Sequence, residues 1–212
     1  VLGSVLAFTL AATLLTITPG LDTMLVMRTS VRSGGRAGLV AGAGITLGVY
    51  AWGAATAFGL SALLLASRLA FDGLRVLGAA YLFTVGARML WRARRGAGAQ
   101  SVEAKATATP GNAAEAFRTG ALTNLLNPKV GVFYITLLPA FIPHGAPMLT
   151  TSLLLASIHA ALGMVWFTLI ALLVGRIRRL LDRPAVQRRV EQVTGVAFIG
   201  FGTRLALTLR HT

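Results

Sequence analysis

Val1 to Met27 is an apolar run long enough to cross a bilayer as a helix, which takes roughly 20 residues. Its middle reads Thr18-Pro19-Gly20-Leu21-Asp22. Proline removes an amide donor and crowds the preceding turn. Glycine lets the backbone leave helical geometry. A carboxylate at bilayer depth is costly and marks a functional site by default. In lipid, a broken backbone survives only where protein or a water-filled cavity covers it. A second break, Asn127-Pro128-Lys129, interrupts a later apolar run, and the two breaks carry opposite charges. A chain built this way reads as a membrane transporter organised around the pair.

Composition supports that class. Hydrophobic residues make up 55% of the 212-residue chain and charged residues 12%, about half the charged share of a soluble domain. The apolar runs predict six spans, near 1–27, 39–66, 74–91, 121–142, 149–174 and 193–209. The net charge of +14 is not a nucleic-acid signal, because 15 of the 20 basic residues gather in loops on one face. Arg28, Arg32 and Arg36 follow the first span; Arg88, Arg92, Arg94, Arg95, Lys105 and Arg118 bracket the third-to-fourth connection. Arg176, Arg178, Arg179, Arg183, Arg188 and Arg189 follow the fifth. The positive-inside rule puts these loops in the cytoplasm and both termini outside. The N-terminus has no basic stretch before its apolar run, so that run is expected to stay as a span.

The chain divides into two expected halves, residues 1–95 and 115–212, joined by a cytoplasmic linker over 96–114. Gly96 to Gly111 is rich in Ala, Thr and Gly, as flexible linkers are. Arg176 to Glu191 mixes charge with apolar residues and reads as a short amphipathic segment on the membrane surface. Gly78 to Arg88 and Gly195 to Arg204 match with a one-residue slip. Each half holds three spans, an odd number, so the halves must be inverted relative to each other. The expected fold is therefore an all-α membrane protein: six transmembrane helices in two inverted three-helix repeats, with broken helices at the midplane.

Pro19 lies about nine residues from Arg28, and Pro128 about ten from Arg118. At 1.5 Å per residue both sit near mid-bilayer. A zwitterionic amino acid needs an anion for its ammonium and donors for its carboxylate. Asp22 suits the first; Lys129 and the amides around Asn127 suit the second. An Asp22–Lys129 ion pair that merely joins the halves is the structural alternative, and bound substrate could split it. Asn124 and Asn127, three residues apart, share a helix face. Thr18, with Thr16, Thr23 and Thr123, adds hydroxyls at similar depth, though such groups often only satisfy broken backbone. His159, about ten residues into the fifth span, titrates in a range suited to proton coupling; packing is its alternative role. Tyr50, Trp52, Tyr134 and Trp166 line a cavity or only pack. Arg88 and Arg204 occupy matching repeat positions, where snorkelling to the interface competes with gating.

Gly38, Gly42, Gly44, Gly48 and Gly53 make the second span glycine-dense. Their spacing suits close helix packing, and would equally permit a homodimer. Other chemistries lack their parts. With no cysteine, disulfides and thiolate metal sites are excluded. There is no phosphate loop and no His-Glu-x-x-His, and a paired-carboxylate protease has no partner for Asp22. Ser61, Ser157 and His159 have no spacing that favours a nucleophilic site. No metal or cofactor is expected.

Three blocks resemble the LysE/RhtB family of bacterial amino-acid exporters: Thr18-Pro19-Gly20-Leu21-Asp22 with Gly34 to Gly48, Gly78 to Gly86, and Gly120-Ala-Leu-Thr-Asn-Leu-Leu-Asn-Pro-Lys129 with Phe133 and Leu138-Pro139-Ala-Phe141. The family usually has a second proline where this chain has Leu21, which makes the first break more flexible. The resemblance implies efflux of amino acids or related small molecules from the cytoplasm, driven by the proton motive force. A neutral amino acid is expected over lysine, because one intramembrane carboxylate is available and Lys129 repels a second ammonium. The rival readings are a cation or small-solute exporter of the same architecture, and a membrane enzyme or subunit that transports nothing.

Overall fold

A computed structural model describes residues 2–66, 68–95, 112–143, 145–181 and 183–208. Among these, all regular structure is helical: α1 (Leu2–Ile17), α2 (Leu21–Ser33), α3 (Gly35–Ala66), α4 (Arg68–Arg95), α5 (Ala113–Leu125), α6 (Pro128–Val132), α7 (Met148–Leu181) and α8 (Pro184–Thr208). α6 continues through a π-helical turn at Phe133–Leu137 and a 3-10 turn at Leu138–Phe141.

By length and hydropathy, Gly35–Gly59 of α3 and Met148–Ile177 of α7 can each cross a membrane. α1 and α2 make a third span if taken together across their 50° bend. α4 and α8 are not among these; they carry Arg75 and Arg88, and Glu191 and Arg204, within their lengths. α4 starts at Arg68 rather than Leu74, and α7 runs on to Leu181. The segment 176–191, expected as a short amphipathic stretch on the membrane surface, is divided between the end of α7 and the start of α8. The glycine-rich stretch 96–111 lies outside the described residues, and the expected linker ends sooner than 114. Asn112 caps α5, its Oδ1 accepting from the Glu115 amide at 2.9 Å, so Ala113 is already helical.

Glycines set how the helices meet. A Cβ on Gly44 would overlap the Phe117 carbonyl, and one on Gly120 the Ala41 carbonyl, so α3 and α5 touch backbone to backbone. Ala41 faces Gly120 and Gly48 faces Asn124; the residues ascend together, so α3 and α5 run parallel. α3 runs antiparallel to α7, with Gly35 opposite Ala171, Gly42 opposite Phe167 and Gly53 opposite Ala156. α4 and α8 also pack antiparallel. A Cβ on Gly86 would lie 2.7 Å from the Gly195 carbonyl, and one on Gly195 2.9 Å from that of Gly86. Two turns along, Gly202 meets Ala79.

Two apolar clusters flank the breaks. In one, Phe8 packs against Phe133 and Phe141, with ring centroids 5.8 and 5.5 Å apart. In the other, Val26, Ala41, Ile45, Phe167 and Ile170 join α2, α3 and α7. Between the clusters lies the polar ground of the two breaks.

Candidate functional site

A helix donates from each amide to the carbonyl four residues back. Pro19 has no amide hydrogen, so Leu15 loses its helical donor. Pro128 does the same to Asn124. Each orphaned carbonyl is taken up by a side chain from the other half of the chain. Lys129 Nζ donates to Leu15 O at 2.7 Å and to Thr18 O at 2.9 Å. Trp52 Nε1 donates to Asn124 O at 3.3 Å, a carbonyl that also accepts from the Asn127 amide at 3.0 Å. The two breaks therefore brace each other across the halves.

Asn127 forms the start of α6: its Oδ1 accepts from the Lys129 amide at 3.1 Å, and Pro128 occupies the first turn, where a missing donor costs nothing. Gly20 has φ −160 and ψ −169, extended backbone open to any residue. Its value lies in space, since the Lys129 chain runs over it, with Nζ 3.6 Å from where a Cβ would stand.

Asp22 opens α2, and its Oδ2 accepts from Asn124 Nδ2 at 2.8 Å. Its other oxygen, Oδ1, is buried and receives no hydrogen bond; Asn124 Oδ1 is likewise buried without a donor. The hydrogen bonds of Asp22 and Lys129 thus go to other partners rather than to each other. Asn124 is held in place by Gly48 of α3, where a Cβ would come 2.6 Å from Asn124 Oδ1.

One cavity collects these groups. Thr18, Gly20, Asp22, Asn124, Asn127, Lys129 and His159 all line it. Pro19 and Pro128 shape the breaks but are not in its wall. Its volume is about 30 Å³, room for about two waters and too little for an amino acid. Thr18 Oγ1 is committed to the Leu14 carbonyl and lies 2.8 Å from Thr194 Oγ1 of α8. Thr16 bonds back to Ala12 O, and Thr23 Oγ1 accepts from Trp166 Nε1 at 3.4 Å. His159 Nδ1 lies 3.1 Å from the Tyr134 hydroxyl, and the two rings stack at 5.8 Å with 17° between their planes. Tyr50 sits farther out, donating to Ser157 Oγ at 3.2 Å. Arg88 is exposed on α4.

Sequence reasoning named the polar residues but missed several of their partners. Phe167 lies in an apolar run, and Thr194 stands between Val193 and the Gly195 repeat block; neither carries a charge or a break to mark it. Leu15 did give a signal: it stands four residues before Pro19, as Asn124 does before Pro128. Chemically, the site offers one carboxylate oxygen without a hydrogen-bond donor, the negative end of a half-helix, and a lysine ammonium seated on that end.

The sequence profile of the family described as LysE type translocator matches residues 13–209. The chain is 33% identical to the homoserine/homoserine lactone efflux protein of Salmonella typhimurium, over 97% of this chain and 96% of that one. It is 29% identical to the membrane protein YrhP of Bacillus subtilis, over 97% and 99% of the two chains. It is 31% identical to the membrane protein PA4757 of Pseudomonas aeruginosa, over 94% and 93%. No solved structure matches. With almost its whole length inside the profile, the chain belongs to the LysE type translocator family, whose members are membrane transporters rather than enzymes.

Proposed function

We propose that the protein exports a neutral amino acid or a close derivative from the bacterial cytoplasm, exchanging it for a proton. The observation that carries this reading is the unpaired, buried Asp22 Oδ1 in the cavity where the two breaks meet. A buried carboxylate oxygen without a donor is an expensive arrangement. Either a proton or a substrate ammonium relieves it, and a site that holds one or the other exchanges them. His159 is the second proton candidate; its hydrogen bond to Tyr134 favours a bracing role.

The relative from Salmonella typhimurium is named for homoserine and its lactone. These share an α-amino group and differ at the carboxyl, which is free in one and closed as an ester in the other. A site for both is anchored on the ammonium, the part Asp22 fits. A free carboxylate would then meet the Asn127 side-chain amide and the remaining N–H of Lys129.

Six spans in two inverted halves fit the packing. Counterpart helices pair with each other, α3 with α7 and α4 with α8, and both pairs are antiparallel, as inversion requires. The repeat predicts that Gly86 against Gly195 is mirrored by Gly202 against the Gly78–Ala79 turn, and Gly202 does meet Ala79. Arg28, Arg32, Arg36, Arg118, Arg176 and Arg179 are exposed at helix ends that this packing brings to one side, the side the positive-inside rule makes cytoplasmic. Loading requires the contracted cavity to widen, which rocking of the halves about the fixed site supplies.

The test is uptake of radiolabelled homoserine and a panel of neutral amino acids into proteoliposomes under an imposed pH gradient. The account expects gradient-dependent accumulation of at least one of them. A folded protein that moves no amino acid, but moves a cation or another solute, would replace it with the solute-exporter reading.

A further inference from the structure

Lys129 occupies ground that an incoming ammonium would want. Its Nζ sits on Leu15 O in the last turn of α1 and on Thr18 O just past its end, and the C-terminal end of a helix carries partial negative charge. An ammonium has three N–H groups in a compact head. Two of those on Lys129 are used on the carbonyls. Asp22 Oδ1, in the wall of the same cavity, is buried and accepts from no one. The Lys129 chain itself fills the space over Gly20, in a cavity too small for an amino acid.

We infer that the carbonyls of Leu15 and Thr18 form a primary-ammonium site, that Lys129 is its tethered occupant, and that substrate enters by displacing it. The site takes a ligand with a free R–NH3+ group; Leu15 O and Thr18 O are its acceptors, and the Asp22 carboxylate in the same cavity wall supplies the opposing charge. Once displaced, Lys129 is released to face the substrate carboxylate, so one movement empties the site and builds the other half of the recognition. In the resting protein the tethered ammonium satisfies the carbonyl that Pro19 orphans and keeps the break from collapsing. A tethered group competes at an effective concentration of roughly millimolar or more, so the occupied site discriminates against weak amines. The inference rests on the exporter reading for the identity of its substrate, but the site can be tested without transport.

That test is chemical rescue of Lys129→Ala, which removes the tethered group and leaves the carbonyls exposed. Methylammonium at tens of millimolar should raise the melting temperature of the purified variant by several degrees, as binding to the native state does. It should leave wild type unmoved, and tetramethylammonium, which has no N–H, should move neither. Folding of the variant only in the presence of methylammonium counts as the same result. No shift, or equal shifts with the two cations, overturns the site. Lys129→Met keeps the stem and its packing. There, titration of tryptophan fluorescence, with Trp52 and Trp166 beside the site, should give a methylammonium affinity about tenfold tighter than wild type, since the competitor is gone. An unchanged affinity overturns the tethered-occupant role. A wild type that transports no amino acid would sink the exporter reading alone, because neither readout involves transport.

Discussion

Lys129 Nζ reaches the Leu15 carbonyl at 2.7 Å, the acceptor that Pro19 deprives of its helical donor. A residue in the second half of the chain thus repairs a break in the first, and Trp52 returns the service at Asn124. Pro19→Ala would restore an amide four residues after Leu15. We expect this variant to straighten the 50° bend, to unfold at no lower temperature than wild type, and to lose transport by roughly tenfold, the equivalent of 1.4 kcal/mol. Paired melting and uptake measurements check it; full transport in a protein with a straight first span would remove the break from the mechanism.

Gly48 decides whether Asn124 can reach Asp22. A Cβ there would stand 2.6 Å from Asn124 Oδ1 and 2.8 Å from its Cβ. Overpacking of this kind costs about 1–3 kcal/mol, and the shift would be felt at the Asp22 carboxylate. Gly48→Ala should therefore lower both stability and transport. Gly59→Ala, where a Cβ meets nothing within 4 Å, should lower neither. Equal behaviour of the two variants in thermal unfolding would refute the packing argument.

Thr18 and Thr194 join α8 to the first break through hydroxyls 2.8 Å apart. A double-mutant cycle with Thr18→Val and Thr194→Val isolates that bond. Hydrogen bonds between membrane helices average about 0.6 kcal/mol and reach about 1.7, and the coupling should fall within that range in denaturant unfolding. Zero coupling would mean that Thr18 serves only its own helix through the Leu14 carbonyl.

His159 is held by Tyr134 through a 3.1 Å contact and a ring stack. With Asp22 carrying the proton, His159→Gln should keep gradient-driven uptake within roughly threefold of wild type, under 1 kcal/mol. Uptake that loses its response to the gradient while substrate exchange continues would transfer the proton to His159.

Much of this site was legible before any coordinates. Prolines, a carboxylate and an ammonium stand out in apolar runs because each is expensive there, and Asp22, Asn124, Asn127, Lys129, Thr18 and His159 do line one cavity. Their pairings were not legible. Opposite charges at matched depth suggest an Asp22–Lys129 pair, yet the hydrogen bonds run from Asn124 to Asp22 and from Lys129 to backbone. Reach and direction of a side chain depend on how helices cross, and that depended on glycines whose partners no local pattern names. Helix ends were misplaced for a related reason. Hydropathy marks where a bilayer would end, whereas α4 from Arg68 and α7 to Leu181 carry their hydrogen bonding on into charged sequence. Likewise, the spacing of Gly38, Gly42, Gly44 and Gly48 foretold close packing, but only the backbone contacts identify α5 as a partner of α3.

The most direct test of the central claim is equilibrium binding of radiolabelled homoserine to purified wild type and Asp22→Asn. The substituted amide can still accept from Asn124, so the fold is retained and only the charge is lost. Hydrogen bonds to a charged group contribute about 1.5–3 kcal/mol, so affinity should fall by roughly 10- to 100-fold. Binding at wild-type affinity by a folded Asp22→Asn would contradict the account, because the carboxylate at the meeting of the two breaks would then not hold the substrate.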